Sequence, residues 1–384
     1  MPGSSMPTAV ALMTAFAERT GLASPAPQRR YLWTDAFAVC TFLGIARKTG
    51  DQQHEELALR LVDRVHHVLG RHRRDDERTG WISGLDEAQG EANPTCGGLR
   101  IGKPLPERRP MEPPDERLEW DRDGQYFHYL TKWMHALDQV TRSTGQPVFH
   151  RWARELARAA HRGFTYSAGG GRRAMYWKMS IDLSRPLVES MGQHDPLDGF
   201  VTCLQLESTR ASPPSLAETA ADLASMVDLR RLATSDPLGI GGLLLDGYRV
   251  QELARREVVP EASRLFESLL AAALFGLRMY VEQGHLRAPA ARRLAFRELG
   301  LAIGLASVAY LDEGSPAAGP GSRSVRAELE RYAPLRAEIE SFWLRPENRD
   351  AALWREHADI NDVMLATSLE PEGFVVLRPP RPAA

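Results

Sequence analysis

At 384 residues, with 43% hydrophobic and 26% charged side chains, the chain can hold one large domain or two ordinary ones and has the make-up of a globular protein. A formal net charge of −2 excludes a general nucleic-acid binder, for which a basic excess is expected. Cys40, Cys96 and Cys203 form no CxxC pair and fit a reducing compartment. There is no signal-peptide pattern, and no apolar run reaches the roughly 18–20 residues of a membrane span, so the expected location is cytoplasmic.

Residues 1–6 read as disordered, and 7–20 as a short amphipathic helix closed by Gly21. With the linker at Pro25 and Pro27, the expected organisation is an N-terminal segment over 1–30 and a single domain over 31–384. The spacing predicts paired helices over 31–48 and 52–72. The stretch 73–121 has no sustained period, and a loop of that length in a compact domain is functional or disordered. A second pair follows over 124–143 and 147–166, its first helix apolar at Leu130, Trp133, Leu137 and Val140. The two pairs are one pattern used twice. An offset of 95 residues brings Tyr31, Arg47, Thr49, Gly50, Ala58, Leu61 and His66 onto Tyr126, Arg142, Thr144, Gly145, Ala153, Leu156 and His161. Another irregular stretch, 168–197, precedes predicted helices over 198–210, 215–232, 240–257, 260–283, 289–312, 324–343 and 348–369, separated by prolines and a Gly/Pro-rich break. Strand-like alternation is almost absent. The chain reads as all-α, with near twelve helices in six pairs.

This arrangement, carried by YLWTDAFAVCTFLGIARKTGD and YFHYLTKWMHALDQVTRSTGQ with their following helices, resembles the six-hairpin (α/α)6 toroid of many glycosidases and of N-acylglucosamine 2-epimerase-like enzymes. The resemblance implies a fold. It supplies no catalytic residue, since no family signature is present.

Turns within pairs are a few residues long, whereas the connections between pairs are long. In a ring of antiparallel hairpins those connections share one end with the starts of the first helices, so that end is the expected functional face. The candidates for chemistry are Asp123, His128, His194, Asp195 and Asp198, carboxylates and imidazoles able to move protons. The segment from Ser190 to Gly199 is the most function-like loop, with Gln193 among its polar groups. Trp81, Trp120 and Trp177 offer flat surfaces for a sugar ring. Arg122, Gln125, Lys178, Asp35 and His357 complete the expected substrate contacts. Tyr126 and His128, two positions apart on a predicted helix, should face different ways, leaving Tyr126 to packing and His128 to the pocket.

His66 and His67 look like a metal pair, but adjacent helical residues point about 100° apart, and no HExxH occurs. Asp75-Asp76-Glu77 lacks the DDxxD spacing, and Gly239 to Gly242 follow a proline-bounded turn instead of a strand. No metal and no cofactor are expected. The expected function is a carbohydrate-active enzyme, glycoside hydrolase-like or sugar epimerase-like, monomeric or homodimeric, acting on a small sugar without nucleic-acid or membrane partners. The rival readings are a non-catalytic ligand- or protein-binding toroid and an isoprenoid cyclase- or hydratase-like enzyme on the same barrel. A hydrolase would use Asp123 with Asp195 or Asp198; an epimerase would use His194 with His128 or His357.

Overall fold

The repeated pattern folds in register with itself. In the computed structural model, which describes residues 5–210, 212–256 and 258–382, the N-terminal helix α1 spans Ser5–Arg19. It is followed by α2 (Leu32–Thr49) and α3 (Gln52–Leu69), short α4 (Glu87–Ala92) and α5 (Glu116–Asp121), strand β1 (Gln125–Tyr126), α6 (Phe127–Thr144) and α7 (Pro147–Phe164). Both ends of α2 and α3 lie 95 residues before the ends of α6 and α7. The turns match in detail. Thr49 and Thr144 each donate a hydroxyl hydrogen bond to the carbonyl four residues back, at 2.8 Å, and each accepts one from the amide two residues on. Gly50 and Gly145 have φ of 75° and 74°. The expected disorder at 1–6 falls partly on residues 1–4, outside the described residues; Ser5 and Met6 are helical.

A side chain at either glycine meets left-handed strain of about 1–2 kcal/mol. A Cβ at Gly50 would touch nothing within 4 Å, whereas one at Gly145 would come 2.5 Å from the Pro382 carbonyl oxygen. Gly145→Ala should therefore lower the unfolding free energy by more than Gly50→Ala, as measured in urea.

Contacts divide the chain into two units. The first to describe comprises Glu18–Leu43, Gln52–Val227 and the chain from Arg378. Beyond α7 it contains β2 (Thr165–Ser167) paired with β3 (Arg173–Met175), then β4 (Lys178–Met179), β5 (Pro186–Val188), α8 (Asp195–Thr209) and α9 (Ala217–Ser225). Helix α6 packs against α3, α7 and α8. Its expected apolar face is fully buried at Leu130, Trp133, Leu137 and Val140. Its other side is buried as well, because polar groups answer one another there. Asp138 accepts from Arg142 at 2.7 Å and from Gln205 at 2.6 Å. Burial works against that carboxylate's charge, but Arg142, His150 and Gln205 together hold its pKa below the usual range.

His66 locks α3 to its neighbours. Its Nε2 accepts from Trp133 Nε1 at 3.1 Å, and its ring stands edge-on to Trp152 at 5.0 Å. Burial, with a smaller effect from His67, lowers its pKa to about 3. The imidazole stays neutral in the fold and takes a proton only on unfolding. The stability it contributes is complete above the unfolded pKa of 6.5 and is lost as pH falls toward 3. Urea unfolding should show about 2 kcal/mol less stability at pH 5 than at pH 8 from this group, and His66→Gln should flatten that slope.

The second unit comprises Asp228–Leu377, Gly44–Asp51 and the chain up to Ala17. It adds α10 (Pro237–Ala254), α11 (Ala262–Glu282), α12 (Ala295–Val308), α13 (Ser322–Glu330), α14 (Ala333–Leu344), α15 (Pro346–Arg349), α16 (Ala352–Glu356), α17 (Ala358–Leu369) and α18 (Glu372–Val375). The glycines at 239–242 lie in the start of α10. Gly241 is there for contact: a Cβ on it would fall 2.2 Å from the Gly300 carbonyl oxygen of α12. The helices predicted over 324–343 and 348–369 are interrupted, the first near Arg331 and Tyr332 and the second into three pieces. Buried Glu298 accepts from both Arg293 and the Trp343 indole, at 2.6–2.8 Å.

Candidate functional site

The two long connections of the first unit, which read as loops, are brought together by a small sheet. β1 pairs antiparallel with β4, and β4 with β5, so residues 125–126 and 178–188 share hydrogen bonds. The sheet escapes a search for alternation because its strands have only two or three residues. It places the start of α6 beside the 168–197 stretch.

Asp123 organises this edge. Its carboxylate is fully buried and accepts from Arg100 at 2.8 Å, from Arg73 at 3.3 Å, and from the amides of Gly102, Lys103 and Gly124 at 2.9–3.3 Å. With five donors and no exposure it has no room for proton transfer to a ligand, and the geometry moves it from the catalytic set to the loop's scaffold. Gln125 is likewise buried, bonding Leu99 N, Gly97 O and Ile181 O. Lys178 is enclosed too. Its ammonium donates to the carbonyls of Glu119 at 2.5 Å and Arg122 at 2.9 Å, a cation on the C-terminal end of α5. Burial lowers its pKa to about 8 against the pull of Glu119. Arg122 is paired with Glu112. Asp35 is buried against Arg30 at 3.3 Å and accepts from Tyr31 N at 3.0 Å. These side chains hold the frame; the expectation that they touch substrate is corrected by their burial or their partners.

A cluster of rings stands on that frame. Tyr126 precedes α6 on β1 instead of lying in the helix, so the helical argument separating it from His128 fails. Their rings stack at 5.3 Å, inclined by 29°. Trp177 lies nearly parallel to His128 at 6.2 Å and against Tyr126 at 5.3 Å. Trp120, 53% exposed, meets Trp177 edge-on at 5.1 Å. Tyr129, which the sequence reading missed, stands edge-on to His128 at 4.9 Å and shares a 2.6 Å hydroxyl–hydroxyl hydrogen bond with Tyr31. Burial, opposed by that hydrogen bond and reinforced by Asp123, raises Tyr31 to about 12 and keeps it neutral.

His128 meets Asp195 here. Nδ1 of the half-exposed imidazole lies 3.7 Å from Oδ1 of the buried carboxylate. Neither His128 Nδ1 nor Asp195 Oδ2 has a hydrogen-bond partner. The carboxylate packs against Gly192, where a Cβ would fall 2.4 Å from Asp195 Oδ2 and push the side chain from this position. Asp198, one turn on, is engaged by Lys132 Nζ at 2.7 Å and by the Thr131 hydroxyl. Exposed Gln193 and half-buried His194 immediately precede α8.

Two expected members lie elsewhere. Trp81 is buried under the Arg71 guanidinium, 4.2 Å from its ring centroid, and faces His67. With Phe149, Trp152 and others it lines a separate cavity of about 160 Å³. His357 belongs to the other unit, where it precedes α17 and stands edge-on to Phe296 at 5.9 Å. Of the His66–His67 pair, His66 is engaged with Trp133. The His67 nitrogens sit 3.2 Å from Asp63 and 2.9 Å from Glu91, a set whose donor atoms lie within 4.8 Å of one another and could take a metal ion.

Helices dominate the described residues, and the fold is the all-α (α/α)6 toroid expected from the paired helices. The solved structure of cellobiose 2-epimerase from Spirochaeta thermophila is similar over 97% of this chain and 98% of that one, with a TM-score of 0.51 and 12% identity. Unsaturated glucuronyl hydrolase from a Bacillus species is matched over 73% of this chain and 85% of that one, at 16% identity and a TM-score of 0.35. No protein-family model matches the chain, and neither does any curated protein. None of its helices is long and apolar enough to cross a membrane, among the described residues.

Proposed function

We propose that the chain is a carbohydrate-active enzyme that moves a proton on a sugar, an epimerase or isomerase in reaction type. The observation that carries this reading is the His128–Asp195 pair, half-exposed on the imidazole side, with an unpartnered atom on each residue. The rings of Tyr126 and Trp177 beside it provide an apolar face of the kind a sugar ring packs on. The fold shared with a cellobiose 2-epimerase suggests the substrates to try first.

Hydrolysis needs two available carboxyl groups flanking the bond. Here Asp123 is held by two arginines and Asp198 by Lys132, so of the three only Asp195 has a buried oxygen without a hydrogen-bond partner. Proton abstraction next to a carbonyl asks for one base and a second group to return the proton. His128, with the Asp195 carboxylate 3.7 Å from its Nδ1, serves as the first, and His194 at the same loop edge as the second. Incubating the protein with free mono- and disaccharides in deuterated water tests this reading. Deuterium should enter the carbon next to the carbonyl, and His128→Gln should stop it. Release of reducing ends without exchange would favour hydrolysis. No turnover of any sugar would sink the enzymatic reading.

A further inference from the structure

The first long connection holds, midway along it, a lysine in an unusual setting. Gly102 has φ of 92°, and a Cβ on it would collide with the Arg30 carbonyl oxygen at 2.2 Å, so only glycine fits. Asp123 anchors the amides of both Gly102 and Lys103. The backbone beneath Lys103 is therefore fixed. Its half-buried side chain extends over Tyr31, with Nζ 5.6 Å from the ring centroid. No carboxylate comes within 4.0 Å of that ammonium among the described residues. The two acids that act on it from further away are Asp123, already engaged by Arg73 and Arg100, and exposed Asp121. Burial lowers its pKa, with those two acids opposing.

A half-buried cation without an acid partner is unfavourable, and the attraction of an aromatic face, about 1–2 kcal/mol, offsets only part of that. A structural role would be met as well by methionine. The lysine sits at one end of a line of rings. Tyr31 bonds Tyr129 through their hydroxyls, and Tyr129 stands against His128. We propose that Lys103 recognises an anionic group on the ligand of this site, so that the preferred sugar carries a carboxylate or a phosphate. This inference rests on the reading of the site as a sugar site. The aromatic line supplies the packing surface, and the ammonium supplies a charge-assisted hydrogen bond that a neutral sugar cannot use.

Calorimetric titration of glucose, glucuronate, glucose 6-phosphate and inorganic phosphate, against wild type, Lys103→Met and Lys103→Arg, tests it. Wild type should bind at least one acidic sugar about tenfold or more tightly than glucose; which one distinguishes carboxylate from phosphate. Lys103→Met should remove that preference, leave glucose affinity unchanged and not lower the melting temperature, and Lys103→Arg should retain most of the preference. Equal affinity for glucose and both acidic sugars in wild type, or an unchanged preference in Lys103→Met, would overturn the proposal while leaving the sugar site in place. Phosphate binding to wild type but not to Lys103→Met, with no sugar bound, would support the anion site and remove the sugar reading. Binding of none of the four would end both.

Discussion

Asp123→Asn should lower the unfolding free energy by about 3 kcal/mol, as expected when one member of a buried ion pair is removed. The asparagine keeps the shape, but it loses the charge facing two guanidinium groups and one of its acceptor oxygens, where five donors now converge. The value lies toward the lower end of the range because Arg73 retains Asp75, and Arg100 retains the carbonyls of Val68 and Arg71. Urea unfolding measures the loss directly. Protein that remains folded at low temperature should keep its catalytic rate within a few-fold. Unchanged stability together with lost turnover would return Asp123 to the chemistry.

The second large effect falls on rate. His128→Gln and Asp195→Asn should each reduce kcat by about 10² to 10⁴ on a substrate that wild type turns over, with melting curves close to wild type. Glutamine cannot shuttle the proton. Asparagine removes the charge that faces Nδ1 at 3.7 Å. The double variant should cost little more than either single one, because two groups that act as a unit are not additive. Trp177→Ala should instead raise KM, through the lost ring surface. Additive losses in the double variant would mean that the two residues act separately.

Helical periodicity and turn chemistry made the repeat legible, with the second helix of each pair beginning where expected, at 52 and 147, and the other ends within three residues. Both signals are local, and the Thr-Gly turns of the two copies use the same hydrogen bonds. Of the site, His128 and Asp195 were legible as polar groups on successive long connections, and the two meet. The parts that were not legible depend on partners far apart in sequence. Nothing near Asp123 signals that Arg73, 50 residues earlier, and Arg100, 23 residues earlier, converge on it. Tyr126 was misplaced for a different reason: a two-residue strand leaves no period to read, and the apolar pattern of α6 runs straight back into it.

Trp177, at a bend, and Lys178, which opens β4, are neighbours in the chain, and both rest against the Tyr126 ring. One belongs to the ring cluster, and the other grips the carbonyls that close α5. A pull on the indole is thus transmitted to a helix end that need not touch the ligand at all. Occupancy of the site should then be audible in the amides of 116–122, as slower exchange with deuterium when sugar is present. Lys178→Met should silence that report, while Trp177 still stacks.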